Sequence, residues 1–140
     1  MMRSIIRVAA SVGALAALTA CGSDAGTGVR AAVTGTYRLS SVNALPLPFT
    51  ENSSGAVVKI TEGQLVAESS GAFTESITRS TTPPGGGSTV ITVTTVGGTY
   101  QVGNQVIVFT YSASGETLLG SLVNGGISIQ NGSNSFEYTK

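Results

Sequence analysis

The chain has 140 residues, of which 41% are apolar and 10% charged, and its formal net charge is zero. It contains no histidine and no tryptophan, and a single cysteine. That composition excludes Ser-His-Asp and Cys-His catalysis, histidine-based metal sites and any disulfide within the chain; with no basic patch, nucleic-acid binding has no electrostatic basis.

The first element is a leader. Arg3 and Arg7 supply a positive start, Val8 to Leu18 is a short apolar run, and small residues follow at Thr19 and Ala20. This is the order of a secretory signal. The run is shorter than the roughly 20 residues of a membrane-spanning helix. Leu18-Thr19-Ala20-Cys21 resembles the lipobox of bacterial lipoproteins at all four positions. The resemblance implies cleavage before Cys21, diacylglycerol on its thiol and acylation of the new amino terminus. One acyl chain binds a membrane marginally, whereas two or three make a lasting anchor. Gly22 stands where inner-membrane lipoproteins commonly carry Asp, so the outer membrane is expected over the inner one.

The chain then divides into a removed signal at 1–20, an acylated cysteine and polar tether at 21–33, and a β domain at 34–140. After Ala20 the charges are Arg30, Arg38, Lys59, Arg79 and Lys140 against Asp24, Glu51, Glu62, Glu68, Glu75, Glu116 and Glu137, a small acidic excess.

The domain is rich in Thr, Val, Ile, Ser and Gly, with turn signals about every 8–12 residues. The first strand is expected over Gly35 to Asn43. Leu45-Pro46-Leu47-Pro48-Phe49 reads as an extended apolar segment closing one end, since proline cannot donate to a ladder. Ala56 to Thr61 and Gln64 to Ser69 read as a hairpin around Glu62-Gly63. Ala72 to Thr82 sets Phe73, Glu75 and Ile77 against Thr74, Ser76 and Thr78. Pro83 to Ser88 is a loop. Thr89 to Val96 is strongly β-branched, and Gly97-Gly98 allows a bend before Thr99 to Val102. Gln105 to Ser112 is apolar on both faces and reads as the most buried strand. Thr117 to Val123, Ile127 to Gln130 and Ser135 to Thr139 complete the set.

About eight to ten short strands predict an all-β fold, an antiparallel up-and-down barrel with a β-sandwich as the alternative. Closure would remove free edges. That matters here, because no charge occurs from Ser80 to Gly115 and Thr89 to Val96 would aggregate as an open edge.

Gly35-Thr36-Tyr37-Arg38-Leu39, Gly98-Thr99-Tyr100-Gln101-Val102-Gly103-Asn104 and Phe136-Glu137-Tyr138 resemble small lipocalin-like domains of bacterial lipoproteins. The resemblance covers Thr34 to Lys140. It implies a barrel holding a small apolar ligand, lined by Tyr37, Phe73, Tyr100, Phe109, Phe136 and Tyr138. The same six residues also describe the core of a filled barrel acting as a structural or protein-interaction module of the cell envelope. Tyr37 and Tyr100 are expected at a barrel mouth with their hydroxyls in water. An interior void below about 300 Å³ would argue against carriage.

No catalytic residue, metal site or cofactor is predicted. Gly85-Gly86-Gly87 precedes no helix and is no phosphate loop. Glu62, Glu68 and Glu75 could in principle pair as glycosidic carboxylates, but all three suit solvated faces. The expected partners are the membrane, through Cys21, and either a small apolar ligand or an envelope protein.

Overall fold

Inward and outward side chains alternate along the long strands, and the inward set is mostly Tyr, Phe, Ile, Leu and Val. A computed structural model describes residues 32–51 and 55–140. The strands are β1 Gly35–Val42, β2 Leu45–Pro46, β3 Phe49–Glu51, β4 Val57–Ala67, β5 Ala72–Thr82, β6 Val90–Gly103, β7 Val106–Tyr111, β8 Thr117–Val123, β9 Gly126–Asn131 and β10 Asn134–Thr139.

Every pairing is antiparallel, in the order β2-β1-β10-β9-β8-β7-β6-β5-β4-β3. Strand β1 also pairs with β4, from Gly35 opposite Ala67 to Arg38 opposite Gln64. That contact closes eight strands into an up-and-down barrel, leaving β2 and β3 as short additions to β1 and β4. The expected barrel is present, and the sandwich is not.

Two bulges set which residues point inward. In β1 the register shifts between Leu39 and Ser41, and in β4 between Ile60 and Glu62. Each adds a residue and reverses the alternation. Leu39 and Val42 thus share the interior, as do Ile60 and Leu65, although each pair has the wrong spacing for a regular strand. The hairpin expected around Glu62-Gly63 is therefore absent, because both residues lie inside the continuous strand β4. Gly63 serves packing rather than turning. A side chain there would meet Leu39 Cβ at 2.7 Å and Ile77 Cδ1 at 3.0 Å.

The proline-rich segment is not one extended run: it bends at Leu47-Pro48, a cis peptide bond, between β2 on β1 and β3 on β4, and half-buried Leu47 and Phe49 pack against the core. Gly97-Gly98 makes no bend, since β6 pairs with β5 in unbroken register from Val90 to Thr99. Strand β7 is not buried on both faces. Ile107, Phe109 and Tyr111 are buried, but Val106 and Thr110 are exposed and Val108 half-buried. Valine on the outer face of a barrel strand packs on cross-strand neighbours and needs no second layer.

Closure does not cover every edge. Strand β6 pairs with β5 from Val90, but with β7 only from Gly98 to Gly103. Residues 90–97 thus have a strand on one side only among the described residues. With the upper parts of β5 and β4 and with β3, they form an arm rising past the barrel ring. The arm ends in the exposed loop 83–89. The described chain starts at the opposite end, where Gly35 meets Ala67.

Candidate functional site

The interior is filled from the chain-start end upward. Val33, Tyr37, Tyr100 and Phe109 are each at most 1% exposed. Phe73 meets Phe109 edge-on at 5.0 Å and Tyr111 edge-on at 5.1 Å, and Tyr100 lies against Phe109 at 6.2 Å. Such edge-to-face pairs add about 0.5–1.5 kcal/mol each to the burial itself.

The two Gly-Thr-Tyr hydroxyls are not in water. Tyr37 donates to Val33 O at 2.6 Å and Tyr100 to Glu68 O at 2.6 Å. Both act as latches on loop backbone. A buried hydroxyl needs an acceptor, and backbone carbonyls supply it; Glu68 O also accepts from Gly71 N at 3.0 Å. Lys140 covers the Tyr37 ring, with Nζ 5.0 Å from its centre, and donates to Thr34 O at 3.1 Å.

Higher in the barrel, Glu75 points inward from β5 between Phe73 and Ile77. Tyr111 donates to Glu75 Oε2 at 2.9 Å, and Tyr138 donates to Oε1 in a short hydrogen bond. The three side chains, from β5, β7 and β10, form a crosspiece through the lumen. Burial, then the negative charge of Glu75, pushes both tyrosine hydroxyls far above their ordinary value of 10.0. They remain protonated donors throughout the physiological range.

Above the crosspiece lies an open cleft of about 290 Å³. Its walls are Ile77, Val96, Leu118, Ile129 and Phe136, and Glu75 lies at its base. Arg79, Glu116 and Asn131 also line it. Arg79 Nε is 3.1 Å from Glu51 Oε2, in a pair exposed by 31% and 24%. That pair orders the arm but contributes at most about 1 kcal/mol. Two larger depressions, of about 420 and 380 Å³, are mostly polar and lie beside β3 and along β1 and β4. Each has only two apolar side chains in its lining, Phe49 and Val58 in the first and Leu39 and Leu47 in the second.

The six aromatic residues expected to line or fill the barrel are all at most 8% exposed. Only Phe136 lines the cleft. Tyr138 supports its base through Glu75, and Tyr37, Phe73, Tyr100 and Phe109 lie below. Cys21 is outside the described residues.

Glu75 corrects the expectation of a solvated face. It sits in step with Phe73 and Ile77, and that alternation was the signal that it points inward. Tyr111, Ile77, Val96, Leu118 and Ile129 were also missed as cleft residues. Their contribution depends on the stagger of the strands around the barrel. Glu62 and Glu68 are exposed and line no part of this cleft. Among the described residues there is no group of three or more His, Cys, Asp or Glu able to hold a metal ion.

No family model, curated protein or solved structure matches the chain.

Proposed function

We propose that this chain is a non-catalytic lipoprotein of the bacterial cell envelope, anchored through acyl chains on Cys21, that works by docking protein rather than by carrying a ligand inside its barrel. The filled interior is the observation that carries this reading. Phe73, Phe109 and Tyr111 occupy the lumen, and the tyrosine–glutamate crosspiece bars the way from the mouth. The open cleft of about 290 Å³ does not exceed the low end of ligand sites, which run from about 300 to 1,000 Å³. The arm supplies an alternative means of recognition, since an unpaired strand edge is a docking element in itself.

A second reading is favoured by the walls of that cleft. Ile77, Val96, Leu118, Ile129 and Phe136 could hold a small, mainly apolar molecule at the mouth, as the lipocalin-like resemblance implies.

Two measurements test these readings. Wild-type protein is expected in the outer-membrane fraction, and Cys21→Ser, which cannot be acylated, is expected to be lost from that fraction. Equal partition of the two would overturn the anchor. Wild-type protein found only in the inner membrane would overturn the outer-membrane assignment. Mass spectrometry of protein purified from its native membrane is expected to find no stoichiometric small molecule. A bound molecule that is lost on Leu118→Lys would favour the second reading over the first.

A further inference from the structure

The free edge of β6 has a definite chemistry. Gly97 O accepts from Ser112 N on the β7 side, whereas Tyr100 N donates to Gly71 O on the β5 side. Backbone groups alternate sides along a strand. Ile91, Val93 and Thr95 therefore turn their N–H and C=O groups toward the open side, up to the point where Ser112 begins. No strand pairs with them among the described residues.

The side chains offer none of the usual protection. Protein edges are commonly guarded by lysine, proline, inward charges or bulges. Here Val90, Ile91 and Val93 are 59%, 63% and 62% exposed, the register carries no bulge, and no charged residue occurs from Ser80 to Gly115.

We propose that the edge is occupied by the same edge of a second copy, in an antiparallel pair with its two-fold axis at Val93. The proposal rests on the docking reading above and names its partner. The segment is complementary to itself in that register. Val93 faces Val93 and Ile91 faces Thr95, each pair exchanging two backbone hydrogen bonds. Between them Thr92 faces Thr94 and Val90 faces Val96, apolar to apolar and hydroxyl to hydroxyl. The inward face meets the inward face of the copy, so neither sheet turns its apolar side over. Two uncharged edges meet without repulsion, whereas a strand bearing Lys or Glu would bring an unmatched charge. The arms then join into one sheet running β3-β4-β5-β6 and back through the copy.

The test uses the full chain carrying Cys21→Ser, so that an introduced cysteine is the only thiol. Directly opposed hydrogen-bonded residues have Cα atoms about 5.5 Å apart, within disulfide range. Val93→Cys is expected to run mainly as a covalent dimer after mild oxidation. Leu119→Cys, equally exposed at 59% on β8, is expected to stay monomeric. Equal cross-linking of the two would overturn the proposal. Wild-type amide exchange provides a reading free of substitution. Ile91, Val93 and Thr95 should exchange more slowly as protein concentration rises, while Thr92 and Thr94, already bonded to β5, should not change. Exchange at Val93 that does not depend on concentration would also overturn it. A ligand found in the cleft would instead count against the docking reading and leave the dimer standing.

Discussion

Glu75 is the residue on which the upper barrel turns. Its two oxygens receive hydroxyls from strands that do not neighbour β5, which fixes the width of the lumen at that height. Removing one donor leaves an acceptor partly buried and unpaired, at a cost of about 1–3 kcal/mol. Tyr138→Phe is expected to lower the unfolding free energy by that amount, read as a lower urea midpoint at an unchanged slope. A loss under 0.5 kcal/mol would show that water replaces the hydroxyl. Tyr37 and Tyr100 do comparable work at the other end, where each donates to a backbone carbonyl. Their aromatic bodies were legible as core from the alternation of β1 and β6. Their acceptors were not, because Val33 O and Glu68 O belong to turns whose path only the folded chain defines.

At the scale of elements, the long strand β6 shows what glycine permits. A side chain at Gly98 would run into the Thr110 carbonyl oxygen and come within 2.8 Å of the Phe73 ring. Gly98→Ala should therefore cost about 1–3 kcal/mol through overpacking, read from the midpoint of thermal or urea unfolding. Retained stability would mean that β6 and β7 can part there without loss. Strand positions were readable wherever alternation and turns agreed, as in β5, β8 and β10. They were misread where parity changes within a strand. Ile60 and Leu65 cannot share a face of a regular strand, and with Glu62-Gly63 between them a turn was the simpler account. A bulge changes parity in the same way and leaves almost no local mark. The open edge of β6 was likewise hidden. It follows from the stagger between β5 and β7, which is a property of the closed ring and of no single segment. The cleft depends on that same stagger, so only Phe136 of its lining was anticipated.

The whole molecule couples stability to alkaline pH through two tyrosines. Both hydroxyls are held well above the ordinary value of 10.0 in the folded barrel. Unfolded, they ionise near that value, so beyond it the unfolded chain binds fewer protons than the native one. Their contribution is complete below pH 10 and is lost as pH rises from 10 toward the folded values, by at most about 1.4 kcal/mol per tyrosine per unit. The melting temperature should fall steadily above pH 10, and less steeply for Tyr138→Phe. A flat profile from pH 9 to 11 would show that neither hydroxyl is shielded when folded.

The arm also separates two kinds of constraint. Around the ring each strand is judged by both neighbours, and the interior tolerates little change in volume. Past the last paired residues of β5 and β6, Thr81 and Val90, loop 83–89 touches no part of that core. Doubling a loop costs only about 0.6 kcal/mol of closure entropy. Foreign peptide spliced between Pro84 and Ser88 would thus be displayed at the far end from the chain start, on a scaffold that need not refold to accept it. Sequence drift should accumulate there first, and any new specificity the chain acquires can begin there without risk to the barrel beneath.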